Sequence, residues 1–209
     1  MFLNVGLGNP GQQYEDTRHN AGFLAAGRLA AGGGFDPPSR FQSSLVARGS
    51  VAGAKAVLAW PQTFMNLSGQ AVLELAAFYK IPGRDILILH DEMDLPPGRL
   101  KLSFGGGAAG HRGLGSILAL LREDFCRLKI GIGRPPADFR ADGSADYVLS
   151  RFPEQEWPVM DAALDQAAEA ALVWAGRGLD QARNQVNRRH PKAAPGEPGA
   201  EATRGGGHA

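Results

Sequence analysis

Apolar residues in this chain alternate between short continuous runs and longer spaced stripes, and that alternation predicts an α/β fold. Phe2–Leu7 is a brief apolar run that reads as a buried first strand. Ala21–Ala31 is rich in alanine and leucine and reads as a helix, with Asn20 placed to cap its start and the glycines at 32–34 ending it. Ser44–Ser50 and Ala54–Trp60 form an expected hairpin around Ala52-Gly53. A second helix should open at Asn66-Leu67-Ser68-Gly69 and carry Ala71, Leu75, Phe78 and Tyr79 on one apolar face, until Pro82-Gly83 breaks it. Ile86–Leu89 is apolar at every position and ends in His90-Asp91, as expected of a central buried strand delivering a carboxylate at its carboxyl end.

Arg99–Phe104 alternates like a strand, and a glycine-rich loop follows at 105–110. Leu114–Leu121 reads as a short helix, Arg127–Ile132 as a strand, Glu154–Trp174 as a long amphipathic helix and Leu179–Arg189 as another. After His190 only Pro, Gly, Ala and a few charges remain, too little apolar surface to offset the entropy of ordering, so 190–209 is expected to be a disordered tail.

Bulk properties narrow the class without naming a function. A chain of 209 residues with 44% hydrophobic and 21% charged residues suits one α/β domain with a full core. The single cysteine, Cys126, cannot form an internal disulfide or a cysteine metal cluster, which favours a reducing compartment. Neither a signal peptide nor an apolar stretch of the roughly 20 residues that span a bilayer is evident, so a cytoplasmic protein without membrane contact is expected.

Gly6-Leu7-Gly8-Asn9-Pro10-Gly11 matches G-x-G-x-x-G, the dinucleotide-binding pattern. That motif should open a helix and be followed, about 20 residues on, by a second strand ending in Asp or Glu. Here Gln12–Arg18 lacks apolar periodicity, and only Gly-Gly-Gly-Phe precedes Asp36. The glycines are better read as letting the backbone turn sharply off the first strand, so that Asn9 faces the crevice where open α/β sheets bind ligands.

The polar residues at such positions suggest hydrolysis. Asn9, Tyr14 and His19 follow the first strand, Phe64 and Asn66 precede a helix, and Asp91 ends an apolar strand. A buried carboxylate needs a partner, and a histidine is a natural one. Bound to one ring nitrogen, the carboxylate fixes the tautomer and leaves the other nitrogen free to take a proton from water. No serine or cysteine occupies an evident nucleophile elbow, which favours direct attack by water. Asn9 and Asn66 could donate to a carbonyl oxygen as charge develops on it. Each residue also has a plain structural reading as a cap or a surface group, so these residues alone leave the base of an α/β hydrolase-like domain unassigned.

GLGNPG…TRHNAG, PQTFMNLSG, HDEMDLPPG, GGGAAGHRGL and RLKIGIGRP together resemble the bacterial peptidyl-tRNA hydrolase family in order and spacing, from about Phe2 to about Asn187. The resemblance implies a single three-layer α/β domain over residues 1–189, with a twisted, mixed and largely parallel central sheet flanked by helices. It further implies a monomer needing neither metal nor cofactor, and a substrate in which a peptide is esterified to the 3′ end of tRNA. On the matching positions, His19 is the proton acceptor and Asp91 the acid that keeps it basic. Asn9, Tyr14, Phe64 and Asn66 contact the substrate. Arg112 stands where the family commonly has a substrate-binding Asn. A protein of this fold that binds RNA but has lost catalysis is the alternative, against which the retained Asn9, His19, Asn66 and Asp91 argue.

Charge adds an RNA-binding expectation. Between Arg99 and Arg151 nine basic residues face five acidic ones, whereas the whole chain carries a net charge of only +1. Such a segment suits a tRNA backbone, with Lys101, Lys129 and Arg134 as candidate phosphate contacts.

Overall fold

The computed structural model describes residues 1–136, 139 and 143–188. The expected tail at 190–209, its boundary at 189, and Arg140 of the basic segment lie outside these residues. Strands β1 (Phe2–Gly6), β2 (Ser39–Phe41), β3 (Ser44–Val51), β4 (Ala54–Pro61), β5 (Ile86–Glu92), β6 (Leu100–Phe104) and β7 (Cys126–Gly131) form one sheet in the order β2-β3-β4-β1-β5-β7-β6. The four central strands, β4, β1, β5 and β7, run parallel. The outer strands β2, β3 and β6 pair antiparallel. The expected mixed, largely parallel sheet is therefore present.

Helices cover both faces, which is why the central strands are apolar at nearly every position rather than alternating. Helices α1 (Ala21–Ala31), α5 (Trp157–Arg177) and α6 (Leu179–Arg188) bury Ala25, Leu29, Leu164, Trp174 and Val186 with Leu87 and Leu89 of β5. On the other face, α2 (Ser68–Tyr79) and α3 (Arg112–Leu121) bury Val72, Leu75, Leu114 and Ile117 with Ile86 and Ile88. Successive β5 residues thus serve opposite cores, as the two-residue period of a strand requires.

Several boundaries differ from those expected. Two short elements escaped the periodicity reading: β2, with three residues, and α4 (Ser144–Leu149), with six. Neither is long enough to show a period. The long helix begins at Trp157 rather than Glu154, with Pro158 in its first turn, where a missing N–H costs nothing. On α2 the buried face is Ala71, Val72, Leu75 and Ala76, whereas Phe78 is 57% exposed. Phe78 lies just past the core stripe and stacks edge-on against Phe41 of β2, with ring centroids 4.8 Å apart.

The glycines of G-x-G-x-x-G act mainly by being small. Only Gly11 has a positive φ, 115°. A side chain on Gly8 would collide with the Phe23 ring, and one on Gly22 with the backbone of Leu7 and Leu89. The start of α1 therefore presses directly onto the ends of β1 and β5, bringing the residues before α1 to the carboxyl edge of the sheet.

Asn4, in the middle of β1, is 1% exposed, and neither side-chain polar atom has a partner among the described residues. Its register neighbours are Leu58 and Leu87. Replacing an unsatisfied buried amide with a branched apolar group of similar shape should be stabilising. We expect Asn4→Leu to raise unfolding free energy by about 1–3 kcal/mol in urea titration; a loss of stability would show that the amide is satisfied in solution.

Candidate active site

The chain leaves β1 toward β4 and leaves β5 toward β7, so a crevice opens between the carboxyl ends of β1 and β5, where such sheets bind ligands. A cleft of about 430 Å³ occupies this place. Asp91, inside β5 rather than beyond it, reaches this cleft and is 3% exposed.

Two imidazoles converge on the Asp91 carboxylate. His19 Nδ1 lies 2.9 and 3.0 Å from its two oxygens, and His111 Nε2 lies 3.0 Å from Oδ1. The hydrogens can be placed by elimination. The backbone N–H groups of Gly113 and Leu114 donate to His111 Nδ1, at 3.1 and 3.3 Å, so that nitrogen is an acceptor and Nε2 carries the hydrogen given to Asp91. His19 presents its Nδ1–H to the same carboxylate, leaving Nε2 facing the cleft with no partner among the described residues. Burial alone would push the Asp91 carboxyl up, but the charges and hydrogen bonds of His19 and His111 outweigh it and hold the group well below the usual carboxylate range.

Donor atoms of His19, Asp91 and His111 lie within 4.8 Å of one another, close enough for a metal ion. The Gly113 and Leu114 amides oppose that use, because they fix His111 with a hydrogen, not a lone pair, toward Asp91.

Asn9 is held more firmly than its loop position suggests. Its amide donates to Asn20 Oδ1 at 2.8 Å, and Asn20 Nδ2 returns a bond to its carbonyl at 3.0 Å. Asn20 stands at the helix start as expected, yet it makes no cap bond and clamps Asn9 instead. Asn9 Oδ1 accepts from the Met65 amide at 2.8 Å, which settles the orientation of its amide and leaves Nδ2 as a donor at the cleft. Phe64 and Asn66 are exposed at the cleft on either side of Met65, and Arg112 is exposed at the cleft at the start of α3, which packs against Met65.

The other expected site residues are paired or lie apart from the cleft. Tyr14 is half-buried in a short turn outside the cleft lining, with its carbonyl accepting the Thr17 hydroxyl at 2.8 Å. Lys129 borders the cleft but is paired to Glu92 at 2.6 Å. Arg134 pairs with Asp94 at 2.6 Å in a separate shallow cleft. Lys101 is exposed on β6, directly opposite Lys129 in register.

Arg127 corrects the simple charge count. It is 1% exposed, lies over the Phe125 ring at 4.7 Å, and donates to the carbonyls of Gly106 and, at 2.6 Å, Gly107. It therefore anchors the glycine loop that carries His111 and does not add to a surface footprint.

Comparison with known proteins gives the family. The family model described as peptidyl-tRNA hydrolase matches residues 3–194. The chain belongs to the peptidyl-tRNA hydrolase family. The peptidyl-tRNA hydrolase of Desulfitobacterium hafniense is 51% identical over 90% of this chain and 100% of its own length. That of Carboxydothermus hydrogenoformans is 46% identical over 90% and 99%. The crystal structure of peptidyl-tRNA hydrolase from Acinetobacter baumannii superposes with a TM-score of 0.83 at 39% identity, covering 90% of this chain and 95% of that one.

His111, Asn20 and Arg127 build the site although sequence patterns assigned them no part in it: Asn20 read as a helix cap and Arg127 as one basic residue of the charged segment. A histidine between a glycine loop and a helix start was the available sign for His111. Nothing in the local pattern marks Asn20 as a clamp, since Asn before a helix is usually a cap.

His90, beside Asp91, supplies a pH prediction. It is fully buried, its Nδ1–H donates to the Asp91 carbonyl at 2.7 Å, and burial, with His111 adding to the effect, pushes its imidazole down to about 3. Below the ordinary histidine value of about 6.5 the unfolded chain takes a proton that the folded one refuses, so stability falls as pH falls toward 3. The slope from this group is about 1.4 kcal/mol per pH unit between pH 6 and 4. His90→Asn, which can keep the donor to the Asp91 carbonyl, should flatten that slope in urea unfolding measured across pH. An unchanged slope would mean that His90 is not held neutral.

Proposed function

We propose that this protein hydrolyses the ester between a peptide and the terminal ribose of tRNA, with His19 as the base that activates water. Membership of the peptidyl-tRNA hydrolase family makes the chain an enzyme. The observation that carries the finer reading is His19 Nε2, free in the cleft while Nδ1–H is held by Asp91. Nε2 removes a proton as the water oxygen bonds to the ester carbon, and Asp91 stabilises the imidazolium that forms. Negative charge developing on the carbonyl oxygen meets Asn9 Nδ2, whose direction is preset by Met65, and Asn66 extends the donor set. When the tetrahedral intermediate collapses, the ester bond to ribose breaks and the departing ribose oxygen takes the proton from His19.

Phe64, 57% exposed at the cleft, offers a flat apolar surface to the terminal base or the peptide. Arg112, at the same cleft, offers a charged donor. Lys101 is the most available of the phosphate candidates, because Lys129 and Arg134 must first release Glu92 and Asp94. Such contacts add affinity without reading sequence, which suits an enzyme acting on all tRNAs.

His19→Ala should abolish turnover of N-acetyl-aminoacyl-tRNA while leaving tRNA affinity within about twofold, since it removes the base and no phosphate contact. Asp91→Asn should lower kcat by at least about 10²-fold. Both assays are run with EDTA, which should leave wild-type turnover unchanged. Near-normal turnover by the His19 variant would overturn the assignment of the base.

A further inference from the structure

Arg18 immediately precedes His19 and is 4% exposed, an unusual place for a guanidinium. Its two terminal nitrogens grip the Glu156 carboxylate at 2.7 and 3.0 Å, and Nη1 also donates to the Ile132 carbonyl at 3.2 Å. The guanidinium carbon lies 4.5 Å from the centre of the Tyr147 ring and 4.9 Å from that of Phe152. The Tyr147 hydroxyl donates to the same Ile132 carbonyl at 2.8 Å. Backbone contacts run the same way: the Arg18 amide donates to Ser150 O at 3.0 Å, and Thr17 bridges Arg151.

Of these partners, Tyr147 lies in α4 and Ser150, Arg151 and Phe152 in the stretch just after it, while Glu156 ends the turn that leads from this stretch into α5, and Ile132 follows β7. Helix α4 in turn lines the cleft with Ala145, Val148 and Leu149. A helix of six residues has too few internal hydrogen bonds to hold itself, so its place depends on tertiary anchors. The Tyr147 ring under the guanidinium and the Arg18–Ser150 backbone bond are anchors of that kind, and the arginine–carboxylate fork holds the far end of the chain that leaves α4.

We propose that Arg18 is a positioning residue: through Tyr147 and the segment from Ser150 to Glu156 that follows α4, it fixes α4 as the apolar wall of the cleft and couples that wall to the turn bearing His19. This rests on the hydrolase reading above. Loss of the tether loosens the wall without removing a reacting group, so substrate capture suffers more than chemistry. A merely destabilising change behaves differently, because it lowers the concentration of active enzyme and leaves KM alone.

The test is Glu156→Gln, which keeps the side-chain shape but leaves Arg18 buried without its countercharge. With N-acetyl-aminoacyl-tRNA, KM should rise about tenfold while kcat stays within about threefold. Amide hydrogen exchange across residues 144–152 should quicken about tenfold, with β1 and β5 exchanging as in the wild type. Tyr147→Phe, which removes only the hydroxyl bond to Ile132, should move both readouts in the same direction by about threefold. Unchanged KM and unchanged exchange in both variants would overturn the proposal, as would a fall in kcat at constant KM. Exchange does not depend on turnover. A wild type that failed to cleave the substrate would therefore count against the hydrolase reading, while exchange alone would still decide whether Arg18 anchors α4.

Discussion

A buried carboxylate that must be satisfied organises this molecule. β5 carries Asp91 into a place where a lone negative charge would be too costly to keep. Its satisfaction requires donors from two other segments, the turn before α1 with His19 and the loop before α3 with His111. One charge therefore joins three parts of the chain at the cleft. It also gives the two imidazoles opposite tautomers, since His111 must keep Nδ1 open for the start of α3 while His19 gives Nδ1–H to Asp91. The free nitrogen of His19 is a consequence of that arrangement.

Backbone contact makes the convergence possible. Gly8 and Gly22 leave no room for a side chain, so α1 begins against the ends of β1 and β5 and His19 arrives beside Asp91. Asn20 then ties Asn9 back to the same turn with two hydrogen bonds. Two buried arginines hold the outer parts of the cleft: Arg127 grips the carbonyls of the glycine loop, and Arg18 grips the segment around α4. Both guanidiniums are used for packing and hydrogen bonding rather than for surface charge, and because Arg127 was among the basic residues counted between Arg99 and Arg151, that count overstated the exposed positive face.

The fold was legible where burial imposes a period or a run. Ile86–Leu89 could only be a central strand, and its continuation through His90 and Asp91 put the acid at the carboxyl edge. The α2 stripe wrongly took in Phe78, which has helical spacing but faces the edge strand β2, itself too short to show alternation. Helix α4 was invisible for the same reason of length. At the site, individual residues could be proposed from chemical type and the His19–Asp91 pair from the family resemblance, but the other partnerships could not. His111 shares Asp91 with a residue 92 positions earlier in the chain, and Arg18 meets Glu156 across 138 positions. Such pairings are products of tertiary packing and leave no local pattern.

The central claim concerns where the hydrogens sit around Asp91, and nitrogen NMR of the histidine rings reads this directly. In protein labelled with ¹⁵N in its histidines, at neutral pH, the account predicts opposite tautomers for the two partners of Asp91. His19 should show a protonated Nδ1 with an open Nε2, and His111 a protonated Nε2 with an open Nδ1. Finding the His19 hydrogen on Nε2, with Nδ1 open, would contradict the account, because the nitrogen facing the cleft could then no longer take a proton from water.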